Sequence, residues 1–161
     1  MMTILKLVSL LVVIAVAVPS VAHALELPGK LRLSREQYLA VQPIYYPGFA
    51  IVGAAEPLSI LMLGGLLALT PRGTPTFWLI AFAVLAVAIT HVLYWTLTAP
   101  VNKFWLREEG LSGSAQRFFG AGGSLNESNW TRLRGRWERS HLLRAGASLV
   151  ALIALAIALV P

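Results

Sequence analysis

The chain has 161 residues, of which 57% are hydrophobic and 12% charged, a balance far outside that of soluble domains, so the composition predicts an integral membrane protein. The absence of cysteine excludes disulfides, thiolate metal sites and a cysteine nucleophile. The net charge of +6 fits basic loops against the lipid bilayer, and we predict no nucleic-acid partner.

Four apolar stretches are long enough to cross a hydrocarbon core about 30 Å thick, which takes roughly 20 helical residues. They cover about residues 4–24, 45–69, 76–99 and 142–160. No interval between them has enough soluble-domain sequence to stand alone. The sequence therefore predicts an all-α fold, a four-transmembrane-helix bundle, with residues 1–161 as a single integral membrane domain.

The basic residues predict the orientation of this bundle. If all four stretches span, the first and third connections share a side and carry ten Lys and Arg residues, whereas the opposite side carries two, Lys6 and Arg72. The positive-inside rule then makes the bundle N-out/C-out, with a long basic cytoplasmic connection between helices three and four.

The first stretch has a rival interpretation, because a lysine, an apolar run and Ala22-x-Ala24 resemble a signal peptide with its cleavage site. Cleavage after Ala24 would export the most basic part of the chain, against the positive-inside rule. We therefore expect a retained first helix. After it, Pro28-Gly29 predicts a turn and Ser34 the N-cap of a short helix.

The second stretch contains Glu56 about a dozen residues from its cytoplasmic end, which at ~1.5 Å per residue is ~17 Å deep. Inserting a carboxyl group there costs on the order of 2.5 kcal/mol or more, so we expect it to face the bundle and find a partner. Pro57 cannot donate to the Gly53 carbonyl, which leaves an acceptor beside the carboxyl group.

A polar and aromatic stripe follows one side of the third helix at ~100° per residue. The stripe consists of His91, Tyr94, Trp95, Thr98 and Asn102. His91 lies about eight residues before the end of this helix at Pro100, or ~12 Å from it, at a depth near that of Glu56.

The fourth helix begins with an amphipathic segment. Its inward face carries Trp130, Leu133, Arg134, Trp137, His141 and Arg144, and Arg132, Arg136 and Arg139 lie opposite, toward lipid headgroups. All three histidines and Glu56 thus fall in the cytoplasmic half, whereas the outer half is Leu, Val, Ile and Ala. This asymmetry predicts a pocket open to the cytoplasm or the inner leaflet.

Structural roles compete with functional ones for several of these residues. His91 either hydrogen-bonds Glu56 for assembly or accepts a proton. Arg144 either snorkels or binds an anionic or carbonyl oxygen. The tryptophans at 78, 105 and 130 fit interfacial anchors, whereas Trp95 fits a pocket wall. His23, Glu56, His91 and His141 could be combined into a metal site, but no H-x-x-x-H or E-x-x-H pair supports one, and we predict none.

Two segments carry a family resemblance: "TAPVNKFW" at the end of the third helix and "NWTRLRGRWERSHLLRA" at the start of the fourth. They resemble the anthrone-oxygenase-like family of small four-helix membrane proteins, largely uncharacterised in bacteria. The resemblance covers most of the chain if "HALELPGKL" and "YLAVQPIYYPGF" are counted. It implies a multi-pass protein of the bacterial inner membrane.

For the fungal members, the resemblance implies oxidation of an anthrone by molecular oxygen with no organic cofactor. The candidate catalytic residues are then His91 or His141 as the base and Glu56 as the group that orients it. Asn102 or Arg144 would stabilise an enolate-like oxygen, and Tyr94, Trp95 and Trp137 would hold the flat substrate.

Since a shared fold does not transfer a substrate, three functions remain open. The first is a membrane protein that binds a flat hydrophobic molecule, quinone-, lipid- or polyketide-like, without catalysis. The second is the cofactor-free oxygenase, and the third a His-ligated metal or haem protein. Gly64, Gly65 and Gly146 would permit close helix contact, which makes a homo-oligomer a further expectation.

Overall fold

The computed structural model describes residues 2–45, 48–105 and 127–160. These ranges contain helices and no strand. The α-helices are Met2–Lys30 (α1), Arg35–Val41 (α2), Gly48–Gly53 (α3), Ala55–Ala68 (α4), Pro75–Leu93 (α5), Ala99–Trp105 (α6) and Glu127–Leu159 (α7). A 3₁₀ turn, Gln42–Tyr45, precedes α3, and a π-helical segment, Tyr94–Thr98, joins α5 to α6.

Four spans in the described part of the chain are long and apolar enough to cross a membrane. They are Met2–Lys30, Gly48–Ala68, Pro75–Asn102 and Trp130–Leu159. The prediction of an all-α membrane protein with four spanning helices is thus confirmed. The predicted basic connection, residues 106–126, lies outside the described residues.

The four spans form a ring in which α1 and α5 each pack against both α4 and α7. One half of the bundle along its axis has a purely aliphatic core, to which all four spans contribute. It includes Val13, Leu63, Leu66, Ile80, Val87 and Leu155. Small residues on α5 and α7, among them Ala83, Ala151 and Ala154, bring these helices close. Because lipid tails are as apolar as these side chains, van der Waals packing rather than the hydrophobic effect holds this half together.

The first connection corrects one prediction and confirms another. α1 continues through Pro28 to Lys30, so the turn predicted at Pro28-Gly29 is wrong. Pro28 removes only its own backbone donor, and the next bonds continue, with Leu31 donating to the Leu27 carbonyl at 3.0 Å. Ser34 does cap α2, in a reciprocal capping box with Gln37.

The helix α2 covers the start of the fourth span. Tyr38 is fully buried and packs edge-on against Trp130, with ring centroids 5.1 Å apart. Its hydroxyl donates to the Glu138 carboxylate at 2.6 Å. The expectation that Trp130 is an interfacial anchor is therefore wrong, because α2 leaves it only 4% exposed, whereas Trp78 is 65% exposed.

Two spans depart from α-helical geometry in the same half of the bundle. The second span is interrupted at Ala54, between α3 and α4, where Pro57 cannot donate to the Gly53 carbonyl. In the third span the Ala99 N–H bonds to the Tyr94 carbonyl, five residues earlier, as in a π-helix. Both sites lie ~8–11 Å from the ends of their spans, at ~1.5 Å per residue.

Proline also explains a contact between the third and fourth spans. Pro100 has no N–H to offer the Thr96 carbonyl four residues before it. The Arg136 guanidinium donates to that oxygen instead. Arg136 remains exposed, as predicted for its face of the helix, but it joins two helices as well as facing outward.

Candidate functional site

A cavity of about 300 Å³ lies in the half of the bundle opposite the aliphatic core, and all four spans line it. The structure brings all eight candidate site residues to this cavity: Glu56, His91, Tyr94, Trp95, Asn102, Trp137, His141 and Arg144. The chain reversals explain this convergence, since the end of one span and the start of the next meet at the same side. Their catalytic or binding roles stay a prediction.

A hydrogen-bonded chain crosses the second, third and fourth spans. The Arg144 guanidinium binds Oε1 of Glu56, and Nδ1 of His91 lies 3.3 Å from Oε2 of the same carboxyl group. The Trp95 indole N–H donates to Nε2 of His91 at 3.1 Å. Arg144 is only 8% exposed, so its side chain does not snorkel to the membrane surface.

This chain determines the tautomer of His91. An indole N–H can only donate, so Nε2 of His91 accepts and Nδ1 carries the proton that it donates to Glu56. The carboxylate thereby orients a neutral imidazole whose unprotonated nitrogen is covered by Trp95. Such an imidazole acts as a base only after Trp95 has moved away from it.

His141 has the opposite environment. It is 5% exposed and sits among aromatic rings, with centroids 4.1 Å from both His23 and Trp137. Neither of its ring nitrogens has a hydrogen-bond partner within the described part of the chain. Both candidate bases thus line the cavity, but only His141 has a free nitrogen there.

A second polar cluster adjoins the cavity through His23 and Tyr45, and sequence reasoning did not assign it to the site. Lys30 is 4% exposed and donates to Glu26 at 2.9 Å and to Nδ1 of His23 at 3.1 Å. The Lys30 ammonium also lies 5.0 Å from the ring centroids of Tyr45 and Trp137. The sequence does place His23 and Glu26 one turn apart at the helix end, but Lys30 counts there as a loop charge.

Tyr45 bounds the cavity beside this cluster. Its hydroxyl donates to Glu26 at 2.7 Å, and its ring packs edge-on against His23 with centroids 4.5 Å apart. Burial, and then the adjacent Glu26 carboxylate, raise the pKa of Tyr45 above its ordinary value. The hydroxyl therefore stays protonated and remains a donor to Glu26.

Asn102 joins the third and fourth spans at the cavity. Its side-chain oxygen accepts from the Trp137 indole N–H at 2.8 Å. This bond holds two of the candidate ligand-binding residues in place. Tyr94 in turn lies under the Arg144 guanidinium, 5.3 Å from it.

The cavity reaches the outer surface between α3 and the π-helical segment. Five residues there line the cavity and are also exposed: Val52 and Gly53 at the end of α3, Ala54 at the break, Pro57 in the first turn of α4, and Trp95 on the π-helical segment. Trp95, at 60% exposure, lies between the surface and His91. This lateral mouth lies at the two departures from α-helical geometry, within the length of the spans.

A metal site would need several ligands close together among the side chains that the structure describes. Within them, no group of three or more His, Asp or Glu residues is arranged to hold a metal ion. His23 and His141 lie close together, but Glu26, the carboxylate 3.5 Å from His23, is engaged by Lys30 and Tyr45.

Comparison with protein-family models, with curated proteins and with solved structures finds no match to this chain.

Proposed function

We propose that this protein binds a flat, hydrophobic small molecule that it takes from the lipid bilayer. The observation that carries the proposal is the lateral mouth of the cavity between α3 and the π-helical segment. A mouth at this depth gives a ligand dissolved in lipid direct access. The volume of about 300 Å³ is that of a small ligand pocket, and aromatic rings line it.

The basic residues support a position of this cavity in the cytoplasmic half of a bacterial inner membrane. The ends of the spans that line it adjoin the two connections in which the sequence is most basic. We also propose that the first helix is retained. It supplies Val16, Pro19, Ser20 and His23 to the cavity, so cleavage after Ala24 would remove one wall.

The binding proposal is tested by titrating the protein in lipid nanodiscs with menadione, a two-ring quinone, and by subtracting its partition into empty nanodiscs. We expect saturable binding at one site per chain. The variant Ser20→Phe, which fills the cavity, should lose that binding. The matched variant Ser9→Phe, also buried on α1 but outside the cavity, should keep it. Binding that never saturates would contradict the proposal.

A second candidate function is that of a cofactor-independent oxygenase, which the resemblance to the anthrone-oxygenase-like family supports. The specific observation in its favour is the orientation of His91 by Glu56, beside an aromatic-lined cavity. A base would remove a proton from the activated CH₂ group of an anthrone, and the carbanion would be oxidised by O₂. The CH₂ group becomes a carbonyl, and the second oxygen atom leaves as water.

Oxygen consumption with dithranol, an anthrone, tests this second function. We expect a rate above that of empty nanodiscs, and a loss of at least about 100-fold in His91→Ala or His141→Ala, whichever is the base. A rate that neither substitution changes would remove both histidines as catalytic bases. If oxygen consumption does not exceed the background but menadione binds, only the binding function is supported.

A further inference from the structure

Unpartnered polar atoms concentrate at the cavity. Within the described part of the chain, six buried side-chain N and O atoms have no hydrogen-bond partner. Four of them belong to three residues that line the cavity: Nε2 of Gln42, Nδ1 and Nε2 of His141, and Nε of Arg144. Their residues are 7%, 5% and 8% exposed.

Such atoms are costly, since an unsatisfied buried polar group destabilises a fold by about 1–3 kcal/mol. The rest of the cavity wall does not share this cost. Glu56, His91 and Trp95 bind one another or Arg144, and Asn102 binds Trp137. The residues that carry the unpartnered atoms line the cavity, so a small rotation of the Gln42 or His141 side chain would present a free hydrogen-bonding atom to a ligand.

The chemistry of these atoms selects the ligand's polar group. Nε2 of Gln42 and Nε of Arg144 can only donate, and His141 offers one donor and one acceptor when neutral. Donors thus outnumber acceptors. A ligand that satisfies them must present a hydrogen-bond acceptor, which in a flat hydrophobic molecule is a carbonyl-type oxygen.

The charges of the wall select a neutral oxygen. Among the residues that the structure describes, Arg144 is paired at the cavity with Glu56, and Lys30 nearby is paired with Glu26. Neither pair leaves a net positive charge to compensate an anion. An unpaired carboxylate or phenolate would pay the full cost of leaving water, whereas a neutral carbonyl loses far less.

We infer that the ligand is a neutral, planar carbonyl compound of which the quinones are the simplest class, and that Gln42 and His141 donate to its carbonyl oxygen. The inference rests on the binding function proposed above and narrows it. It also separates the two histidines: His141 is a ligand contact, and His91 is held by Glu56 and Trp95.

Three naphthalene probes of similar size test this assignment in nanodiscs: 2-methylnaphthalene without oxygen, menadione with two neutral carbonyls, and the anion of 2-hydroxy-1,4-naphthoquinone. We expect menadione to bind at least about tenfold more tightly than the other two. Gln42→Leu and His141→Phe should each weaken the binding of menadione by about tenfold and leave the affinity for 2-methylnaphthalene unchanged. The hydrocarbon thus reports whether each variant still folds around the cavity.

The matched control is Ser9→Ala, which removes an unpartnered buried oxygen outside the cavity and should change no affinity. Equal affinity of the wild-type protein for menadione and 2-methylnaphthalene overturns the carbonyl assignment, although binding itself survives. If the anion binds more tightly than menadione, the inference that the ligand's oxygen is neutral is overturned. If both variants lose menadione and hydrocarbon binding equally, the proposed hydrogen bonds from Gln42 and His141 to the carbonyl oxygen are overturned. If no probe binds saturably, the proposed function fails and this inference fails with it.

Discussion

Glu56 is a buried carboxylate inside a membrane span, a position that is costly for an acidic residue. Both of its oxygens are used, one by Arg144 and one by His91. An acidic residue at this depth is tolerated only with such partners. Its side chain therefore ties three spans together, whatever the cavity binds.

We predict that Glu56 and Arg144 depend on each other energetically. Glu56→Gln and Arg144→Met should each reduce stability by about 3–5 kcal/mol, since each leaves a buried group without its partner. The double variant should lose less stability than the sum of the two single losses, with a coupling energy of at least about 1 kcal/mol. Unfolding of the detergent-solubilised protein in SDS measures all three.

Arg139→Met is the matched control for this cycle, because Arg139 is exposed on the same helix. It should leave the unfolding midpoint unchanged. Strictly additive effects of the two single substitutions would show that the ion pair contributes nothing to stability.

The environment of Tyr38 predicts that the folded protein loses stability at alkaline pH. Burial, and then the Glu138 carboxylate beside it, raise the pKa of Tyr38 far above its ordinary value. The folded state thus holds this proton more tightly than the unfolded state does. The stabilisation is complete below about pH 10, where the unfolded tyrosine is protonated, and is lost as the pH rises further.

The variant Tyr38→Phe tests this dependence. Near pH 7 it should be about 1–3 kcal/mol less stable, because Glu138 loses a donor at 2.6 Å. Above about pH 10 its stability should fall less steeply than that of the wild-type protein. Parallel stability curves across this range, measured by SDS unfolding, would show that Tyr38 contributes no pH dependence.

The second and third spans are irregular where they form the cavity mouth. α3 packs against α1 and α4, whereas the π-helical segment packs against α5, α6 and α7. The mouth lies between these two groups. A break at Ala54, just before Pro57, and a π-helical turn before Pro100 thus open the wall, whereas regular α-helices close the other half of the bundle.

We predict that a large side chain at the mouth slows ligand entry. Ala54 is exposed and lines the cavity, so Ala54→Phe should reduce the association rate of menadione by about tenfold or more, a barrier increase of about 1.4 kcal/mol. Stopped-flow quenching of tryptophan fluorescence measures the rate.

Leu61→Phe is the matched control, because Leu61 is 72% exposed on α4 and does not line the cavity. Its association rate should equal that of the wild-type protein. An unchanged rate in Ala54→Phe would mean that the ligand enters by another route.

At the scale of the whole molecule, polar and aliphatic residues separate along the bundle axis. Buried aliphatic side chains fill one half, and the other half contains the cavity and its paired charges. The three glycines expected at an oligomer contact, Gly64, Gly65 and Gly146, lie exposed with no neighbouring atom where a Cβ would be. A homo-oligomer through these positions stays a prediction.

The orientation of the molecule is testable because the chain has no cysteine. We predict that a membrane-impermeant maleimide labels Pro71→Cys in intact cells and labels Ala40→Cys only after lysis, since both positions are exposed in the connections between spans, Ala40 on α2. Leu61→Cys, inside a span, should resist this charged reagent in both conditions. The reverse pattern would place the cavity in the outer half of the membrane.

Much of the fold follows from the sequence alone, because a bilayer imposes a fixed thickness and a high cost on polar groups. The four spans, the cap at Ser34 and the polar half of the bundle are properties of single segments. The gathering of Glu56, His91 and His141 at one level also follows, since depth is counted along each helix from its end.

The hydrogen bond between His91 and Glu56 is already an expectation from the sequence, but the other long-range pairs were decided only by the tertiary structure. Glu56 and Arg144 are 88 residues apart, and Tyr38 and Glu138 are 100 apart, so each contact depends on how one helix is rotated against another. Helical periodicity defines the faces of each helix but not the face of the partner that it meets. For the same reason the burial of Lys30 and Trp130 emerges only when α1, α2 and α7 are packed together, as does the lack of any hydrogen-bond partner for His141 among the described residues.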